Sequence, residues 1–147
     1  MLSGRSNGQG GWTVALPSAA PMSGAAAAAV NETCGWSPNY VSKFLGPQDI
    51  VGEVTADCGP DPVGYEFNGC IQHSHGSSGP WYDDADSCGT YYEGDALSSR
   101  AYYLHGCLVP GLMWWYRMHA STEVYWLGEW YSLYGGVVGG PPSYYNC

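Results

Sequence analysis

Hydrophobic and polar positions alternate along much of this chain with a period of two. Val63-Gly64-Tyr65-Glu66-Phe67 places Val63, Tyr65 and Phe67 on one face of an extended segment, because successive strand side chains point to opposite sides. Asp49 to Asp57 (DIVGEVTAD) alternates more loosely and also predicts a strand. Tyr102 to Tyr116 is the most apolar stretch, and Pro110-Gly111 divides it. That break predicts two core strands, with a short helix between Gly111 and His119 as the alternative. Val124 to Leu133 is strongly aromatic. Residues 74–90, rich in Gly, Ser and Asp, predict a long loop. Gly135-Gly136 and Gly139-Gly140-Pro141-Pro142 predict breaks before the tail. Near the start, Trp12-Thr13-Val14-Ala15-Leu16 predicts one isolated extended segment. The pattern as a whole predicts a mainly β fold: a small disulfide-stapled sandwich or irregular barrel with an extended N-terminal arm and one short helix at most.

Charge divides the chain in two. Residues 1–30 are rich in Gly, Ala and Ser and carry one charge, Arg5. Residues 31–147 hold all thirteen acids and three bases, a net −10, and Lys43 is the only lysine. The expected organisation is an arm (1–30) followed by an acidic, aromatic-rich domain (31–147), which is long enough to bury a core. With −9 over its 147 residues, the chain is a poor partner for nucleic acid, where binding rests on many positive contacts to phosphate. An anionic membrane surface is disfavoured for the same reason. His105, Pro110 and Gly111 interrupt the run from Ala101 to Met118, so it falls short of the roughly twenty apolar residues of a membrane span.

Six cysteines, Cys34, Cys58, Cys70, Cys88, Cys107 and Cys147, are dispersed, and no C-x-x-C occurs among them. That spacing fits disulfides rather than zinc and implies an extracellular or otherwise oxidising environment. Six cysteines allow fifteen connectivities. The Gly59-Pro60-Asp61-Pro62 turn favours a bridge from Cys58 to Cys70, and any bridge from Cys147 would tie down the C-terminus. Asn31-Glu32-Thr33 is a glycosylation sequon in a eukaryotic secretory setting. Residues 1–30 also read, as an alternative to an arm, as a weak signal peptide ending near Ala29.

Three groups of residues have the composition of chemical sites. Asp84, Asp86 and Asp95, with Gly89, follow the spacing of a calcium loop, although Cys88 occupies a position that should offer oxygen; a solvated acidic loop is the plainer reading. His73 and His75 would share one face of an extended segment and form half of a zinc or copper site. His105 and His119, with Glu93, Glu123 or Glu129, have the residue types of a general acid–base pair. Signatures for a serine-hydrolase elbow, a phosphate-binding loop or a dinucleotide fold are missing. In composition, being small, acidic, tyrosine-rich and cysteine-bearing, the chain resembles the fungal guanyl-specific ribonucleases, a likeness that carries no residue over.

Aromatic usage is lopsided, with 13 Tyr and 7 Trp against 2 Phe. Tyr and Trp join an apolar body to a polar handle and suit contact surfaces. Trp81, Tyr82, Trp126 and Trp130 are the candidate contacts. The leading expectation is an extracellular structural subunit whose arm, through Trp12, Val14 and Leu16, docks as a strand on another copy and builds a homo-oligomer or filament. A secreted carbohydrate-binding module and a small secreted hydrolase are the alternatives. Geometry separates them: histidines converging on a carboxylate in a cleft mark an enzyme, coplanar exposed aromatics a glycan binder, and an arm held in another chain an assembly.

Overall fold

The computed structural model describes residues 4–6, 12–16, 32–43, 49–107 and 111–147. Strands β1 (Gly4–Ser6), β2 (Trp12–Ala15), β3 (Thr33–Pro38), β4 (Ser42–Lys43) and β5 (Asp49–Gly59) come first. Next are β6 (Val63–Ser74), β7 (Tyr82–Asp83) and β8 (Gly89–Ala96), with a 3-10 turn at Ala85–Ser87 before β8. β9 (Ser98–Gly106), β10 (Met113–Trp126), β11 (Glu129–Gly139) and β12 (Ser143–Asn146) complete the set. No α-helix occurs among the described residues, and hence no helix long and apolar enough to cross a membrane.

All pairings are antiparallel and form two sheets that do not close into a barrel. In the first sheet, β9 runs along one edge of β5 while β3 and β4 share the other, and β2 and β1 extend the β3 side. The second is centred on β10 and β6. β11 and β12 lie on the free edge of β10, and β7 and β8 on that of β6. Only Leu97 separates β8 in one sheet from β9 in the other. Its carbonyl accepts the Tyr65 hydroxyl (2.7 Å) and the Cys58 N–H (2.8 Å), which fastens this corner of the sandwich.

The core lies between the sheets. β5 contributes Ile50 and Val54, β6 Tyr65, Phe67 and Ile71, and β10 Met118, Ala120 and Val124, all buried and all in the alternation the sequence showed. Met118 fills a slot made by two glycines, one from each sheet. A Cβ on Gly52 would meet its sulfur at 2.5 Å, and one on Gly69 its methyl at 2.5 Å. Tyrosine does take core positions that Phe would otherwise fill. Tyr65, Tyr103 and Tyr116 are buried, and Tyr103 donates its hydroxyl to the Phe67 carbonyl at 3.1 Å. Burial pushes all three phenols up to about 12.

The bridges are Cys34–Cys58, Cys70–Cys88 and Cys107–Cys147, with no free cysteine. The expected Cys58–Cys70 bridge is therefore incorrect. Cys34 and Cys58 are register partners across β3 and β5, which leaves Cys70 for the segment that returns along β6. Three disulfides in a small domain fit an oxidising environment.

Three further expectations need correction. Gly111 to His119 holds no helix, because Trp114-Trp115-Tyr116 enters a central strand paired on both edges and aromatic residues favour such a pleated surface. Residues 74–90 are not wholly loop; they contain β7, the 3-10 turn and the start of β8. Gly135-Gly136 does not end a strand, because β11 continues through it. The glycines fall where its ladder with β10 shifts register between Ala120 and Thr122, an irregularity that glycine accommodates.

Candidate active site

At one end of the sandwich the apolar layer between the sheets gives way to histidine. His73 of β6 lies opposite Tyr116 of β10 in the second sheet, and His105 of β9 lies opposite Ile50 of β5 in the first. Both histidines therefore stand on inner faces, one per sheet. The segment from Asp84 to Cys88 closes the space between them. It is pinned to β6 by the Cys70–Cys88 bridge, by the Asp84 N–H donating to the Ile71 carbonyl (2.9 Å), and by Ser87. The buried Ser87 hydroxyl accepts the Ile71 N–H (2.8 Å) and donates to the Asp84 carbonyl (2.6 Å).

This clamp places Asp84 beside His73, with Nδ1 and Oδ1 2.7 Å apart. A carboxylate can only accept, so the His73 Nδ1 carries the hydrogen and its Nε2 is left for other partners. His105 makes the matching contact with Asp86, Nδ1 to Oδ1 at 2.8 Å, while the other Asp86 oxygen accepts the Gly106 N–H (3.0 Å). The His105 Nε2 also lies 3.9 Å from the second Asp84 oxygen. The result is two His–Asp dyads around a cleft of about 180 Å³, whose walls include Leu112, Trp114 and Tyr116.

The two aspartates are tuned in opposite directions. Asp84 has a side chain only 9% exposed, and its Oδ2 has no hydrogen-bond partner among the described residues. Loss of hydration raises it above the usual carboxylate range despite the pull of His105 and His73. Asp86 is more open. Burial is the largest single influence and pulls it up, but the hydrogen bonds from His105 and Gly106 and the His105 charge together prevail and hold it below that range. Burial raises the Tyr116 phenol first, the Asp84 charge second, so the cleft keeps a neutral O–H donor.

The structure thus gathers residues that the sequence had offered separately. Asp84 and Asp86 come together as histidine partners, and Asp95 lies at the opposite end of the sheet beside Tyr125 and Trp130. The calcium-loop spacing is not assembled. His75 packs its ring on Trp114 at 4.0 Å instead of joining His73. Among the described residues no three His, Cys, Asp or Glu side chains form a metal-binding set. His119 does not share a site with His105. It lies on the outer face of β10, 3.8 Å from Asp83, and burial followed by the Arg117 charge lowers it. Glu93 and Glu129 accept hydrogen bonds from Tyr91 and Tyr131, and Glu123 lies opposite Glu66. None of the three meets a histidine in this cleft.

The aromatic candidates divide. Trp81 lies under the Arg117 guanidinium, 4.4 Å from its ring centre. Tyr82 is exposed against His73, Trp126 is packed against the core, and Trp130 is exposed beside Tyr125. Of the arm, Trp12 to Ala15 forms β2 and pairs with β3 of the same chain, and Leu16 is buried. Asn31 and the side chains of Trp12 and Val14 lie outside the described residues. No family model, no curated protein and no solved structure matches this chain.

Proposed function

We propose that this protein is a small acid–base hydrolase acting on a neutral substrate in the cleft between His73 and His105. The observation that supports it is the pair of imidazoles, each oriented through Nδ1 by its own aspartate, flanking a desolvated carboxylate. Perturbed titratable groups of this kind, gathered in a cleft, are the usual mark of a functional site. In the proposed reaction His73 takes a proton from water through Nε2. The water oxygen attacks the substrate carbonyl, and Asp84 steadies the imidazolium that results. His105 returns a proton to the departing alcohol, so the ester bond is exchanged for one to water with no net proton change. Tyr116 supplies a donor to the oxyanion that forms in between. Leu112 and Trp114 give the cleft apolar walls, and among the described residues neither lysine nor arginine lines it, so a neutral ester fits better than a phosphate.

The test is hydrolysis of chromogenic neutral esters between pH 5 and 8 by the oxidised protein. The expected profile is bell-shaped, and His73→Ala and His105→Ala should each lower the rate by about 10²–10⁴ while leaving the β spectrum unchanged. Wild-type rates in both variants, or no rate above buffer, would overturn the reading.

Assembly by strand exchange is the second reading. Ala15 and Thr33 end strands that pair with each other, yet the connection between them far exceeds the two to five residues of a hairpin turn. A tether of that length allows β2 to occupy the same place on a neighbouring copy. Removing residues 1–30 should then convert a size-exclusion peak of oligomers to monomer. An oligomer that survives the deletion counts against it.

A further inference from the structure

At the other end of β10, the outer face of the second sheet carries an aromatic groove. Gly64 of β6 lies opposite Tyr125 of β10, and Tyr125 opposite Trp130 of β11. The adjacent row sets Tyr92 of β8 opposite Glu66, and Glu66 opposite Glu123. Tyr92, Tyr125 and Trp130 are 64%, 45% and 46% exposed, although each is large enough to have formed core. The β10–β11 turn explains how two of them are held. Leu127 and Gly128 have φ values of 50° and 85°, the left-handed pair of a two-residue hairpin turn, and this tight turn fixes the Tyr125 and Trp130 rings 5.3 Å apart. The trough between these rings and Tyr92 holds about 260 Å³. It exists because position 64 is glycine; a Cβ there would meet the Tyr125 Cβ at 3.1 Å.

Charge narrows the occupant. Glu93 and Asp95 line the trough, and no lysine, arginine or histidine does so among the described residues. Glu66 and Glu123 stand beside the Tyr92 hydroxyl, and the Glu66 charge raises that phenol. The rings offer flat faces to the C–H side of a sugar and negative potential to a cation, while the carboxylates accept hydrogen bonds from hydroxyl and ammonium groups. We propose that this groove binds an amino sugar, a pyranose with a free ammonium group. Such a ligand uses both the aromatic walls and the negative charge of the trough, whereas an acidic glycan is repelled. The groove is independent of the histidine cleft. Tyr116 and Tyr125 both lie on β10, about 30 Å apart at the rise of an extended strand.

Calorimetric titration with glucosamine oligomers tests this, with N-acetylglucosamine oligomers, glucose oligomers and a trimethyllysine peptide as comparisons. The free-amine oligomer should bind at least tenfold more tightly than either uncharged oligomer, and added salt should weaken it. Trp130→Ala, at an exposed position, and Gly64→Val, which fills the trough, should each lower its affinity at least tenfold. Equal affinity for the acetylated oligomer, tighter binding of the peptide, indifference to both substitutions, or no binding at millimolar ligand would each overturn the proposal. Ester hydrolysis in the cleft should be unchanged in both variants, which keeps the two sites separable.

Discussion

Asp84→Asn is expected to make the protein more stable at neutral pH and to remove the proposed hydrolytic activity. The two effects come from one carboxylate. Asp84 is nearly buried, its second oxygen has no hydrogen-bond partner among the described residues, and desolvation lifts it above its ordinary value of 3.8 despite two nearby histidines. A group raised in the folded state binds its proton more tightly there than in the unfolded chain. Its favourable contribution is therefore complete below about pH 3.8 and is lost as pH rises through the higher folded value. As the pH rises through that higher value the wild type takes on the cost of a desolvated charge, and the asparagine variant does not. Urea denaturation should show the variant more stable at pH 7, with the difference closing near pH 3, where wild-type Asp84 is itself neutral. Activity should move the other way, by about 10²–10⁴ in rate, because asparagine cannot balance a charged His73. Were the cluster merely a polar plug in the end of the sandwich, the substitution would break a structural ion pair. A variant less stable than wild type at pH 7 would therefore refute this account of the site.

Much of the scaffold was legible in the alternation of side chains. Val63, Tyr65 and Phe67 all face the core, and both Asp49 to Asp57 and the two segments either side of Pro110-Gly111 are strands. The segment after Gly111 was ambiguous because a short apolar run has the same hydrophobic count in a helix and in a buried strand. Only its pairing on both edges decides. That same decision settles His119. In a strand, positions 116 and 119 face opposite sides, so His119 is turned away from the cleft that Tyr116 lines. The site was legible as parts but not as a whole. His73, Asp84, Asp86 and His105 each stood out in the sequence, and what joined them was the Cys70–Cys88 bridge, present in three of the fifteen connectivities. Once that bridge is known, position 73 follows one cysteine by three residues and position 84 precedes the other by four. Antiparallel return then brings them side by side. The aromatic groove was hidden for a related reason. Tyr92, Tyr125 and Trp130 come from β8, β10 and β11 and meet across β6 through a register that sequence spacing does not encode.

Replacing both Cys107 and Cys147 by serine is expected to have the largest effect on stability. The bridge spans 40 residues, and closing a loop of that length removes unfolded-chain entropy worth about 4 kcal/mol. For a chain of this size such a loss lowers the melting temperature by on the order of 10 °C. Cys34–Cys58 closes a loop of 24 residues between strands already in register, and its removal should cost somewhat less, about 3 kcal/mol. The two bridges differ more in what they hold. Cys107 follows β9 directly after His105 and Gly106, while Cys147 directly follows β12, lines the cleft and donates its N–H to the Leu112 carbonyl at 2.9 Å. Of the three bridges, this is the one that ties the strand that carries His105, in the first sheet, to the edge of the second sheet beside Trp114 and Tyr116. Without it the two walls of the cleft keep their packing, the Asp84 to Cys88 segment, the chain that runs from β9 to β10 and hydrogen bonds such as that from Tyr103 to Phe67, but lose the cross-link at the mouth itself. Assayed well below its melting temperature, the Cys107→Ser, Cys147→Ser protein should therefore lose ester hydrolysis while remaining folded, whereas the Cys34→Ser, Cys58→Ser protein should melt earlier and keep its rate. Equal activity in the two variants at a temperature where both are folded would mean that the cleft does not depend on the span between the sheets.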